Sequence, residues 1–379
     1  MLEKPLFRPQ NPLFSSGPCT KRPGWLPDVL RTALVGRSHR SAAGLERLKL
    51  AIDKMHALLE LPADYRLAIV PGSDTGAFEM ALWSMLGSRG VDVLAWEDFG
   101  RRWVADIVGE LKPRDTRVLE ADYGHLPDLA AVDFDRDVVF TWNGTASGVR
   151  VPDANWIPSD RRGLTFADAT SALLAQDVDW SKIDVATFSW QKVLGGEAAH
   201  GMIVLSPRAV ERLTTYQPPW PIPKLFRLTD EGRLLDSLFS GVTINTPSML
   251  CVEDFLDGLA WGERVGGLKA LRRRADANAK VLFDWIARTP WIANLAVDPR
   301  SRSNTSVCMR IVHPDANDEG GRVAKDMAAL LAAEGAAYDV SSYRGAPPGL
   351  RVWCGVTVEQ SDIEALLPWL EWSYERVQR

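Results

Sequence analysis

Lys192 follows an apolar run, Val185–Ser189, with Trp190-Gln191 before it and Gly195-Gly196 after it. A lysine at a strand end inside a cleft is desolvated, which lowers its pKa and makes the amine a nucleophile toward aldehydes. Most lysines are simply solvated, so Lys192 alone carries little weight. Asp168 ends a second run, Leu164–Ala167. Buried there it needs a cationic or protonated partner, although a helix cap explains it about as well. A third run, Leu67–Val70, opens into Pro71-Gly72-Ser73-Asp74-Thr75-Gly76 ahead of a helical pattern. Small residues let backbone N–H groups approach a phosphate, and a helix N-terminus favours its charge. No Gly-Lys-Ser/Thr follows, so this is not a Walker loop, and an ordinary Ser or Asp N-cap fits equally well. A fourth run, Val138–Trp142, leads into Asn143-Gly144-Thr145-Ala146-Ser147-Gly148, which by itself reads as a turn.

The elements that position these residues alternate. Between about Arg66 and Ser206, β-rich runs (also Val91–Trp96 and Met202–Leu205) are separated by helical patterns such as Ala77–Leu86 and Trp103–Leu111. The pattern predicts an α/β fold with a mostly parallel sheet covered on both faces. Ligands in such sheets bind beyond the carboxyl ends of the strands, where all four motifs lie. A phosphate cradle, a buried acid, a lysine amine and an aromatic side chain together are what pyridoxal 5'-phosphate requires. Pro218–Pro223 reads as a rigid excursion. A long helical stretch follows, Met249–Ala287, with Gly266-Gly267 as its break. Beyond Pro290, a strand at Ser306–Val312, a helix at Gly321–Glu334, a strand at Leu350–Trp353 and a helix from about Ser361 predict a smaller α+β domain. The expected organisation is an N-terminal segment, 1–16, a large domain, 17–258, and a small one, 259–379.

Composition narrows the partners. Against 49 acidic residues stand 44 basic ones, a formal charge of −5. The densest basic cluster, Arg272-Arg273-Arg274, fits a solvated helix face, so no nucleic-acid partner is expected. No apolar run approaches the roughly 18 residues of a membrane span, and the N-terminus lacks a signal-like apolar core. The 4 cysteines form no CxxC pair, which argues against a metal site or disulfide framework and for reduced thiols in a cytoplasm.

With these motifs in this order, the chain resembles the class V aminotransferases of fold type I and, within them, the phosphoserine aminotransferase family. The resemblance covers nearly the whole chain and implies a seven-stranded-type, mostly parallel sheet with a smaller C-terminal domain. Phe14-Ser15-Ser16-Gly17-Pro18 is similar to the family's opening segment, and the resemblance implies that the N-terminal segment, 1–16, lines the site. The resemblance assigns the cofactor phosphate to Ser73, Asp74 and Thr75, and the pyridine ring to a stacking aromatic, Phe99, with Trp103 competing. It places Thr145 near the ring hydroxyl, Asp168 at the ring nitrogen, Gln191 beside the lysine, and Lys192 as the covalent and acid–base residue. Asn245-Thr246-Pro247 would reach the phosphate across a homodimer interface. His39 and Arg40, in the family from the neighbouring subunit, would join Arg344 at the acidic or phosphorylated end of the substrate, and Arg351 would clamp its carboxylate. The implied partners are small acidic amino acids and keto acids: L-glutamate and 3-phosphohydroxypyruvate exchanged for 2-oxoglutarate and O-phospho-L-serine, with a related step in vitamin B6 synthesis. Thr75 stands where some members have a basic residue, and Tyr343 where some have histidine. The nearest alternative is an alanine– or serine–glyoxylate aminotransferase, which needs no second cationic site. A cysteine desulfurase is a poorer fit, since no cysteine of this chain lies in an obvious mobile catalytic loop and Cys354 follows an expected strand. A non-catalytic phosphate-ligand-binding protein of the same fold would not need both Lys192 and Asp168.

Overall fold

The computed structural model describes residues 2–312 and 319–378. Helix α1 spans Ala42–Leu58, and its N-cap Ser41 accepts from Gly44 N. There follow β1 (Arg66–Pro71), α2 (Ser73–Met85), β2 (Val91–Ala95), α3 (Asp98–Ala105), β3 (Thr116–Glu120), β4 (Asp137–Thr141), β5 (Thr165–Asp168) and β6 (Val185–Ser189). Next come the one-turn α4 (Trp190–Val193), β7 (His200–Leu205) and α5 (Pro207–Thr215).

Strands β1 to β7 form one 7-stranded sheet in the order β1-β7-β6-β5-β4-β2-β3. From β6 across to β3 every pair is parallel, while β7 runs antiparallel to both its neighbours. Strands β2, β4, β6 and β7 are buried along their whole length, which is why they read as largely apolar runs without strict alternation. The edge strand β3 is open to solvent over much of its length and carries no such run, so the sequence reading has no strand there.

Two expected helices shift at their starts. Helix α2 begins at Ser73 rather than Ala77, directly after Gly72, whose φ of 82° needs no Cβ. Helix α3 begins at Asp98, capped by the Glu97 side chain, and Asp106–Leu111 continues as a wider π-helical turn ended by left-handed Lys112.

The C-terminal half contains α6 (Met249–Arg264), α7 (Gly267–Arg288), β8 (Ile292–Asn294), β9 (Ser306–Ile311), α8 (Glu319–Ala333), β10 (Leu350–Trp353) and α9 (Gln360–Val377). The break between α6 and α7 falls at Gly266-Gly267, with φ of 110° and 69°. Helix α6 runs unbroken through position 258, because Val252, Phe255 and Leu259 pack into the core around the large sheet. Along α7 the burial changes sides. Leu268, Leu271 and Ala275 join that core, whereas Ala279, Leu282 and Trp285 join a second one formed with α8, α9 and the antiparallel sheet β8-β9-β10. Strand β8 was not legible in the sequence. Phe14 is buried in this second core, and its carbonyl accepts from Trp353 N at 3.1 Å, leading the N-terminal segment toward the end of the large sheet. Among the described residues no helix is long and apolar enough to cross a membrane.

Candidate active site

At the carboxyl ends of β4, β5 and β6, Thr141, Asp168 and Thr187 lie in register on adjacent strands. A cavity of about 250 Å³ opens beyond them. It brings together Ser73, Asp74, Thr75, Phe99, Trp103, Thr145, Asp168, Gln191, Lys192 and Arg351, all expected from the sequence. Ser16, Gly17, Thr141, Asn143, Thr170, Ser189 and Tyr343 line it as well.

Lys192 enters from α4, immediately after β6, and its Nζ donates to Thr145 Oγ1 at 3.0 Å. The same Nζ stands 5.2 Å from the centre of the Phe99 ring. Burial holds its pKa below the usual lysine value, with the Asp168 charge opposing. Gly17 is the close-approach residue here: a Cβ on it would lie 2.7 Å from Lys192 Cε.

Asp168 is buried and accepts from Trp103 Nε1 and from Thr170 N, each at 3.2 Å. Trp103 therefore turns its indole edge to the carboxylate and packs on Phe78 at 4.7 Å, leaving Phe99 to present a ring toward the lysine. Asp74, in the first turn of α2, is also buried. Burial first, and then the Asp168 charge, raise its pKa well above the usual carboxylate range. A neutral Asp74 is compatible with an anion at the same helix end, where an ionised one would repel it.

Whether these residues suit a phosphorylated, polar ring is answered by their unmet hydrogen bonds. Around the cavity, Ser16 Oγ, Asp74 Oδ1, Thr141 Oγ1, Thr170 Oγ1, Gln191 Oε1 and Arg351 Nε are buried without a partner among the described residues. Buried polar atoms are rarely left so, and a cluster of them facing one space fits a ligand with many acceptors and donors. Arg351 lies 5.7 Å from the Tyr343 ring, which itself packs on Phe99 at 5.2 Å.

Five expected residues are not in this cavity. His39 is buried elsewhere, its Nε2 without a partner among the described residues, and burial, then Arg40, lower its pKa. Arg40, Asn245, Thr246 and Arg344 are exposed. The sequence reading placed Ser16 in the site-lining N-terminal segment but assigned no role to Thr141, Thr170 or Glu97. Thr141 ends β4, and Thr170 and Glu97 each follow a strand end by two residues, a positional signal that was present.

The sheet order, the reversed β7 and a part-buried lysine beside a buried carboxylate at the strand ends fit the fold-type I, pyridoxal-phosphate-dependent aminotransferase class. Solved structures agree on the fold. A phosphoserine aminotransferase from Cytophaga hutchinsonii superposes with a TM-score of 0.81 at 22% identity, covering 94% of this chain and 97% of that one. One from Trichomonas vaginalis with the cofactor bound gives 0.79 at 18% identity over 96% and 100%. No family model matches the chain. The phosphoserine aminotransferase of Methanosarcina mazei is 56% identical over 374 residues, 99% of this chain and all of that one. The chain belongs to the phosphoserine aminotransferase family.

Proposed function

We propose that the cavity holds pyridoxal 5'-phosphate and that the chain exchanges an amino group between L-glutamate and 3-phosphohydroxypyruvate, giving 2-oxoglutarate and O-phospho-L-serine. The observation that carries this reading is Lys192, part-buried at a strand end with its Nζ on Thr145 Oγ1 and its pKa lowered by desolvation, beside the buried carboxylate of Asp168. When bound, the cofactor supplies an aldehyde carbon and an electron-accepting ring. The first turn of α2, with Ser73, Asp74 and Thr75, would receive its phosphate at the positive end of the helix. Asp168 would hold a proton at the ring nitrogen, and Thr145 would hydrogen-bond the ring hydroxyl. Phe99 would stack on the ring, since Trp103 is already committed to Asp168. Lys192 Nζ, as the neutral amine, would take the proton from the substrate α-carbon. Gln191 flanks it, and Arg351 would clamp the substrate carboxylate.

His39, Arg40, Asn245 and Thr246 would complete the site across a homodimer, the first two joining Arg344 to receive the substrate's phosphate or side-chain carboxylate. Their position outside the cavity of their own chain supports this. The proposed organisation remains an N-terminal segment, 1–16, a large domain, 17–258, and a small domain, 259–379; the passage of burial from one core to the other along α7 supports a division into a large and a small domain. The free cysteines Cys19, Cys251, Cys308 and Cys354 suit a cytoplasmic protein.

The test is the visible spectrum of the purified protein before and after each donor. A cofactor band that changes with both L-glutamate and O-phospho-L-serine is expected. A response confined to L-alanine or L-serine would move the assignment to the glyoxylate aminotransferases. The absence of any band after adding pyridoxal phosphate would leave a non-catalytic binding protein. A response to 4-phosphohydroxythreonine would extend the role to vitamin B6 synthesis.

A further inference from the structure

Glu97 has no part in the chemistry above, yet it is 0% exposed and lies between the two segments that flank Lys192. Its Oε1 accepts from Gly100 N at 2.9 Å, which caps α3 next to Phe99. Its Oε2 accepts from Ala146 N at 3.0 Å, in the turn that carries Thr145. The surroundings hold the bridge tightly. A Cβ on Gly144 would stand 2.8 Å from Glu97 Cγ, and the adjoining Trp96 indole donates to Val149 O at 3.0 Å. Burial raises the acid to about 7, against the two backbone hydrogen bonds that lower it. A helix cap alone does not call for this, since a half-exposed Asp or Ser caps as well without desolvating a carboxylate. What the buried glutamate adds is reach: its two oxygens join a helix end to a turn that local sequence does not connect.

We propose that Glu97 is a positioning residue that ties the N-terminus of α3 to the 143–148 turn and so sets the gap between the Phe99 ring and the Thr145 hydroxyl. The Lys192 amine stands in that gap, 5.2 Å from one and 3.0 Å from the other. The inference rests on the reading of the cavity as a pyridoxal phosphate site.

Glu97→Asp separates bridging from capping, because the side chain shortened by one methylene still caps Gly100 N but does not span to Ala146 N. The variant is expected to melt within a few degrees of the wild type. Its affinity for pyridoxal phosphate should fall about tenfold, the scale of one hydrogen bond to a charged group. The circular dichroism of the cofactor band should weaken, and hydrogen exchange at the Ala146 amide should accelerate. If Glu97→Asp does not fold, Glu97→Gln is measured the same way, since it keeps the length but loses one acceptor. Wild-type cofactor affinity, dichroism and Ala146 exchange in a folded variant would overturn the clamp. Should the wild type itself fail to bind pyridoxal phosphate, the cavity reading falls. Ala146 exchange, which needs no cofactor, would still decide whether Glu97 holds the turn.

Discussion

The two ends of the large sheet treat buried carboxylates in opposite ways. At the amino ends, Asp92 pairs with Arg117 and Arg136, Asp137 with Arg212, and Asp184 with Arg161 and Arg208. Arg212 grips Asp137 with two nitrogens, at 2.8 and 3.1 Å, while Asp137 Oδ1 also accepts from Leu164 N at 2.8 Å. At the carboxyl ends Asp74, Glu97 and Asp168 are equally buried, but no ion pair neutralises any of them among the described residues. Desolvation is the largest influence there: it raises the pKa of Asp74 and Glu97 and lowers that of Lys192. One end is finished as a piece of structure. The other carries unmet charge and hydrogen bonds that a ligand can satisfy, which is how a functional end of a sheet differs from a structural one.

That difference predicts which variants damage chemistry and which damage the fold. Lys192→Ala should lower kcat about a thousandfold or more, the scale of lost general acid–base catalysis, without lowering Tm. No stability is expected to be lost, because the folded protein disfavours the charged form of this amine. Steady-state rates and thermal melts read both quantities, and a Tm drop like that of an amino-end variant would erase the distinction.

Arg212→Ala should do the reverse, leaving Asp137 buried and unpaired at a cost of about 3–5 kcal/mol in stability. Urea unfolding would measure it, with cofactor affinity of the folded fraction unchanged. A stable Arg212→Ala protein would show that the amino end tolerates bare charge as the carboxyl end does.

The smallest effect concerns who supplies the missing cations. Lys192→Ala and Arg40→Ala chains, each inactive alone, should recover about a quarter of wild-type activity when refolded as an equal mixture, since half the random dimers then hold one intact site. No recovery would place the substrate's cationic site wholly within one chain.

Much of the catalytic end was legible because the relevant signals are local. An apolar run followed by Lys192, Asp168, Thr145 or Ser73-Asp74-Thr75 marks both a buried strand and the chemistry at its tip, and the sheet brought these tips together. Helix breaks at Gly266-Gly267 were legible for the same reason, since the backbone there needs positive φ. Strand β3 and strand β8 were not, because one is too exposed and the other too short to leave an apolar period.

By itself, then, the sequence determined the α/β class, the strand ends and the residue types that gather at them, all properties of short segments. Only the tertiary structure decided which buried acids acquire an arginine and which remain bare, that Trp103 serves Asp168 while Phe99 faces Lys192, and that Glu97 bridges α3 to the Thr145 turn. It also decided that His39, Arg40, Asn245, Thr246 and Arg344 stand apart from the cavity of their own chain. The reason is physical. A side chain's charge state and task depend on what packs against it, and those neighbours come from distant parts of the chain, where no local pattern records them.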